Sequence, residues 1–353
     1  MDMKNSQRII RYCSILLIAV FLLGGCAKKK DGGNLAKAME ALEQNDYTAA
    51  MENFEKALLN KEDNQLIYRG MGIAYMGQGS YAEAETAFLT SSSFAVGQLT
   101  DLDYDTNYYL ASAYIKQKKY AEAEEIYTAI ISLRKKDLDA YYLRGCVYLK
   151  QNNYQAAIKD FEKAFSLAPN NIKLVTDAYV EMRAAGFEEE GRAYLNDLIK
   201  EKEKSMKNED KGRIYFYLED YENARINLDT FVNGKDAELS LLLGQTYEKL
   251  NNMGYAVEVY ETYLNNNPPN AAIYNGLGTC LMRQENYEDA VAAFQSGIDI
   301  GDGGYMQELK FNLIVATEYM GNFSQAKTLM QEYLQLYPDD AKAKRENNFL
   351  STR

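Results

Sequence analysis

The feature that most constrains this chain is a register. An aromatic residue or methionine recurs at Tyr47, Tyr81, Tyr120, Tyr154, Phe187, Tyr221, Met253, Tyr287 and Phe323, at spacings of 34, 39, 34, 33, 34, 32, 34 and 36 residues. Each is expected one turn before a short alanine-containing helix. Three residues further on stand Ala50, Ala84, Ala123, Ala157, Ala224, Ala256, Ala290 and Ala326, with Glu190 breaking the column. Four beyond that come Phe54, Phe88, Tyr127, Phe161, Tyr194, Leu228, Tyr260, Phe294 and Met330. The preceding helix pattern carries small residues at Ala38, Gly72, Ala111, Gly145, Ala178, Gly212, Gly244 and Gly278, with Tyr75, Tyr114, Tyr148, Tyr215 and Tyr247 three residues later. A bundle whose aromatics merely followed amphipathic period would not hold such a register over so many intervals.

Each column has a physical reason. Two antiparallel helices approach closely only where a small side chain faces the crossing, and large aromatics then fill the space beside the contact. The chain of 353 residues has only four prolines, which suits an ordered helical protein. Pro169, Pro268 and Pro338 fall where a second helix should stop, and Pro269 follows directly. Stretches such as Gly77-Gln78-Gly79-Ser80 and Gln151-Asn152-Asn153 break the helices between the columns.

The pattern resembles the tetratricopeptide repeat. The resemblance implies an all-α fold, a right-handed superhelical solenoid of about nine helix-turn-helix repeats over residues 34–340, with 341–353 as a capping helix or tail. The fifth unit matches least well. Five extra residues within 91–106 either lengthen a helix or bulge as a loop, and the first unit has Ala41 where others carry an aromatic.

The first 25 residues have the character of a secretion signal. Lys4, Arg8 and Arg11 precede the ten-residue apolar run Ser14–Leu23, too short for a membrane span of roughly 20 residues. Leu23-Gly24-Gly25-Cys26 resembles the bacterial lipobox at all four positions, which implies cleavage before Cys26 and a lipid on that residue. Acyl chains contribute about 0.8 kcal/mol per buried methylene, so two or three would hold the chain at a bilayer. Residues 26–33, with Lys28, Lys29 and Lys30, are then a flexible tether. The expected location is outside the cytoplasm, anchored to the outer face of the cell membrane or to an outer membrane. After removal of residues 1–25 the chain holds 36 basic and 50 acidic residues, a formal charge of −14, which predicts a body that stands off anionic lipid.

Composition excludes much chemistry. There is no histidine, so His-dependent triads and zinc sites are ruled out, and a formal charge of −12 leaves no basic footprint for nucleic acid. No phosphate-binding loop is present, and Gly70-Met71-Gly72 and Gly276-Leu277-Gly278 fit helix packing better. Asp101, Asp103 and Asp105 alternate like the opening of a calcium loop, but the expected Gly is Thr106 and the expected Glu is Ser112. An acidic loop whose last aspartate caps a helix is the plainer expectation. Cys146 and Cys280 lie four repeats apart, too far to bond one another, and are expected as free thiols. No cofactor and no metal are expected.

By resemblance, the first helices line a groove that takes a protein or peptide partner. Helical spacing puts Arg69, Ile73, Tyr108, Ser112, Tyr142, Cys146, Tyr179, Arg213, Gln245, Asn275, Thr279, Phe311 and Asn312 on that face, with Met76, Phe216 and Met282 beside them. The Lys/Asn clamp of the family's chaperone-binding members is not reproduced. The expected function is therefore a membrane-anchored, non-enzymatic scaffold binding an envelope protein. A glycan-binding surface lipoprotein is the alternative, weakened by the absence of tryptophan, and an enzyme would need a carboxylate or lysine site not evident in the sequence.

Overall fold

A computed structural model describes residues 33–231, 234–301 and 303–353. The signal segment, Cys26 and the tether up to residue 32 lie outside the described residues. Among those described, the chain is helical throughout, with 19 α-helices and two short 3-10 turns, Glu203–Ser205 and Asp229–Phe231. It divides into two compact units, the first ending at Gly191 and the second beginning at Arg192.

In the first unit, α1 (Asn34–Glu43) pairs with α2 (Tyr47–Leu59), α3 (Asn64–Gln78) with α4 (Tyr81–Ser93), α5 (Asp101–Lys116) with α6 (Tyr120–Leu133) and α7 (Leu138–Lys150) with α8 (Tyr154–Leu167). Helix α9 (Ile172–Ala184) follows, and the boundary falls inside α10 (Glu188–Lys202). In the second unit, α11 (Asn208–Tyr217) pairs with α12 (Tyr221–Leu228), α13 (Ala237–Lys249) with α14 (Met253–Asn266), α15 (Ala271–Arg283) with α16 (Tyr287–Asp299) and α17 (Met306–Tyr319) with α18 (Phe323–Leu336). Helix α19 (Ala341–Leu350) closes this unit, burying Ala343 and Leu350 with Phe311, Ile314, Met330 and Tyr333. Each unit is a run of consecutive helix pairs, a tetratricopeptide-type solenoid.

One backbone device sets the repeat. Every first helix ends on a residue in the left-handed region: Asn45, Gly79, Lys118, Asn152, Gly186, Glu219, Asn251, Glu285 and Gly321, with φ between 57° and 92°. The amide after it bonds back five residues, as in Ser80 N to Tyr75 O at 2.9 Å and Asn153 N to Tyr148 O at 2.8 Å. This Schellman turn satisfies the last carbonyls of the first helix. Its final residue also initiates the second helix, and Asp46, Asn153 and Asp220 there accept a hydrogen bond from the backbone three residues on.

This geometry corrects three expectations. The column aromatics are not a turn before the second helix; in eight of nine repeats they are its first residue, because the Schellman turn leaves no room for another turn. In the fifth repeat the register is shifted by one. Gly186 occupies the left-handed position, so Glu188 aligns with Tyr81, and Phe187 sits at the helix-initiating position, where its ring still packs at a tilt against Tyr154, centroids 5.0 Å apart. Gly191 and Leu195, not Glu190 and Tyr194, complete the two columns, and Leu195 is wholly buried. The small residue of the first helix is then replaced by Tyr179, and large and small have changed sides: a Cβ on Gly191 would lie 2.8 Å from the Tyr179 ring. Finally, Thr100 caps α5 instead of an aspartate: it forms a capping box with Asp103, whose carboxylate accepts from the Thr100 amide at 2.7 Å. The extra residues before it make a seven-residue loop, 94–100, and lengthen α5 to 16 residues.

The packing columns are the core. Ala50, Ala84, Ala123, Ala157, Ala224, Ala256, Ala290 and Ala326 are fully buried, as are Phe54, Phe88, Tyr127, Phe161 and Tyr260. Glycine is needed opposite them: an added Cβ would lie 2.4 Å from Phe88 at Gly72, 2.6 Å from Phe161 at Gly145 and 2.5 Å from Phe294 at Gly278. Two members of the later tyrosine column tie a first helix to the element before it: Tyr148 donates to Glu124 on α6 at 3.0 Å, and Tyr247 to Asp229, just past α12, at 2.6 Å.

Candidate functional site

Apart from Tyr179, the residues expected to line the groove sit on one side of the first helices, and neighbouring first helices within each unit pack side by side. That packing decides which side chains remain available. Arg69, Ser112, Tyr142, Cys146, Tyr179, Arg213, Asn275 and Phe311 are buried, while Ile73, Tyr108, Gln245, Thr279 and Asn312 are partly exposed. Tyr179 leaves the face altogether. The shifted register of the fifth repeat turns it inward, with no exposed surface, and puts Thr176, Val180 and Arg183 on the shared side instead.

Polar members of the set find partners across the seams between first helices. In the first unit, Arg69 pairs with Asp105 on α5 and lies over the Tyr109 ring, and Gln65 donates to Asp103 at 2.6 Å. The Tyr108 hydroxyl donates to Asp137 at 2.6 Å; burial, then that carboxylate, pushes its pKa far up, so it stays a neutral donor. In the second unit, Arg213 pairs with Glu238 on α13, and Asn312 donates to Asn275 at 2.8 Å. Removing the carboxylate of either ion pair would leave its arginine buried and unsatisfied, which costs more than the pair contributes.

The three aspartates considered for calcium go separate ways: Asp101 pairs with Arg134, Asp103 takes Gln65 and Thr100, and Asp105 takes Arg69. No group of three or more acidic or thiol ligands gathers among the described residues. Both thiols are buried and not disulfide-bonded. Burial, with Glu181 near Cys146 and Glu248 near Cys280, raises both thiol pKa values, which keeps them protonated. Among the described residues no helix is long and apolar enough to cross a membrane.

What stays accessible is an apolar strip in each unit. In the first unit it comprises Met39, Ile73 and Met76 with the Tyr108 ring; in the second, Phe216, Leu241, Met282 and Val315 with Gln245 and Thr279. Met39, Leu241 and Val315 were not among the residues expected from sequence, although they hold the repeat positions of Ile73, Gln245 and Thr279 or lie one turn before them. Such a surface, apolar with a few amides and its charges already paired, suits the apolar face of a peptide or helix.

Five tetratricopeptide repeat models match, at residues 41–97, 109–141, 138–171, 241–305 and 311–340. The chain is a tetratricopeptide repeat protein. Residues 172–240, which no model reaches, hold the shifted fifth repeat and the sixth. Among solved structures, yeast Tom70 superposes with a TM-score of 0.56 at 15% identity, covering 93% of this chain and 66% of that one. A tetratricopeptide repeat protein from Parabacteroides merdae ATCC 43184 aligns at 16% identity, covering 80% and 97%, with a TM-score of 0.47. MamA aligns at 22% identity over 47% of this chain and 95% of its own, with a TM-score of 0.39. At these identities the likeness concerns the fold alone. No curated protein sequence matches the chain with significance.

Proposed function

We propose that this tetratricopeptide repeat protein is an exported, lipid-anchored scaffold that holds an apolar peptide or helix of another envelope protein against the strip on its first helices, without catalysing a reaction. The observation that carries the reading is that strip: Ile73, Met76, Tyr108, Gln245, Thr279 and Met282 are partly exposed while the charged groups beside them pair with one another. Partner binding is the general use of this fold, and the lipobox-like Leu23-Gly24-Gly25-Cys26 supplies the anchor.

The test is in-cell photo-crosslinking from a photoreactive amino acid at Ile73 and, separately, at Gln245, with capture identified by mass spectrometry. The expected result is an envelope protein captured at one or both sites, with capture from position 73 lost on Met76→Glu and capture from position 245 lost on Met282→Glu, in variants whose helix content is unchanged. Capture that survives those charges moves the partner off this face. Anchoring is read separately: radiolabelled palmitate should enter the wild type and not Cys26→Ser.

A further inference from the structure

The apolar side chains that the first unit leaves in water are not spread over it. Among its described residues the exposed large hydrophobics are Leu59, Leu89, Phe94, Val96, Leu99 and Leu133, and all but Leu89 lie at the turns that join one repeat to the next. Val96 is 92% exposed, Leu59 83% and Leu133 61%. The opposite edge, formed by the turns within repeats at 44–46, 79–80, 117–119 and 151–153, carries none.

The inter-repeat turns form a single edge, tied together by side chains. The Glu62 carboxylate in the first of them accepts from the Asn34 and Leu35 amides at 3.0 and 3.1 Å, which fixes the start of α1 beside Leu59. Gln65 reaches Asp103 beyond the second, and Asp101 there pairs with Arg134 of the third. Four acids of this edge are held in place: Glu62 by α1, Asp63 and Asp137 by capping α3 and α7, Asp101 by Arg134. Lys61, Lys135 and Lys136 project into water with no ion pair among those formed in this unit. The edge combines apolar tips with unpaired lysines, the composition of surfaces that sit at the headgroup boundary of a bilayer.

We infer that this edge of the first unit rests on the lipid bilayer, with Leu59, Val96 and Leu133 at the acyl boundary and Lys61, Lys135 and Lys136 against headgroup phosphates. The inference rests on the reading of Cys26 as the anchored residue. Six residues lie between Cys26 and Gly33, and seven fully extended residue steps span at most roughly 25 Å. The start of α1 therefore cannot be farther than that from the membrane, and α1 begins on the edge described. The tether and the apolar tips thus set the protein on the inter-repeat turns of this unit, with Lys61, Lys135 and Lys136 beside the acids of the same edge.

The full chain, purified from membranes and reconstituted in phosphatidylcholine/phosphatidylglycerol vesicles, tests this with an environment-sensitive dye on a cysteine introduced at Val96, at Leu133 or, on the opposite edge, at Gln78. All three positions are exposed, and the native thiols at Cys146 and Cys280 are buried. Expected are blue-shifted emission and quenching by brominated lipid at Val96 and Leu133, with neither at Gln78. Mass spectrometry of the amino-terminal peptide of the same samples reports acylation independently. An unacylated Cys26 removes the anchor and this inference with it. An acylated chain whose Val96 and Leu133 labels stay in water leaves the anchor standing and overturns the resting edge.

Discussion

Replacing Gly244 by alanine should destabilise α13 and α14, although alanine is the better helix former. In a helix interior that exchange alone favours alanine by about 1 kcal/mol. Here the new Cβ would lie 2.2 Å from Cε1 of Tyr260, a distance no carbon pair tolerates. The ring cannot retreat, because a Cβ on Gly276, from the next first helix, would itself stand only 2.7 Å from it. Its hydroxyl also donates to Glu248 at 2.8 Å, a bond that displacement forfeits at about 1 kcal/mol. Overpacking at such sites costs about 1 to 3 kcal/mol, so the net loss should be near 2 kcal/mol. The identical change at Gly254, with nothing within 4 Å, should be neutral or stabilising by about 0.5 kcal/mol. Native-state hydrogen exchange on the α13 and α14 amides is the suitable assay, since a chain of two compact units need not unfold in one step. Tyr260→Leu should cost less in the Gly244→Ala background than in the wild type, the coupling expected of residues in contact. Ala111 stands in the same column opposite Tyr127, so the claim concerns this helix spacing and not alanine as such. Protection of α13 equal to or above wild type in Gly244→Ala would refute the reasoning.

Three further outcomes follow from the geometry. Burial, and then the Glu346 carboxyl on α19, raise the Glu318 pKa from 4.5 to about 7, against the opposing charge of Arg353. Because the folded value lies above the unfolded one, the stabilisation is full below about pH 4.5 and is lost as pH rises through about 7. Exchange protection of α19, corrected for intrinsic rates, should therefore fall between about pH 5 and pH 8, and Glu318→Gln should remove that dependence; a flat wild-type profile would count against it. Glu62→Ala removes the acceptor for two amides at the start of α1 and should lower local stability there by about 1 kcal/mol, read as faster exchange in α1 with α7 and α8 unchanged. Cys146 and Cys280 should resist maleimide in the native chain and react on unfolding; rapid native labelling of either would mean its helix opens readily.

Much of the architecture was legible because it is local. The small, alanine and aromatic columns recur at intervals set by helix geometry, and each contact they specify forms within a repeat or with its neighbour. The prolines at 169, 268 and 338 follow the ends of α8, α14 and α18 for the same reason: a residue without an amide proton marks where a helix stops. The fifth repeat misled because two signals lie one residue apart. Phe187 looks like the column aromatic, but backbone conformation at Gly186 sets the register, and a glycine's φ is not written in the identity of its neighbours.

The candidate site divides along the same line. Outside the fifth repeat, the sequence by itself determined which residues share one side of each first helix, since that depends only on spacing. Only the tertiary structure decided which of them reach water: the seam between adjacent first helices takes up Arg69 with Asp105, Arg213 with Glu238 and Asn275 with Asn312, and leaves Ile73, Met76 and Gln245 partly open. The inter-repeat edge is a still clearer case. Leu59, Val96 and Leu133 are scattered over 75 positions of sequence, and they become one surface only because parallel first helices bring their starting turns together. Periodicity fixes the face of a helix; the distance to the next helix, set by the packing of whole side chains, fixes what that face can touch.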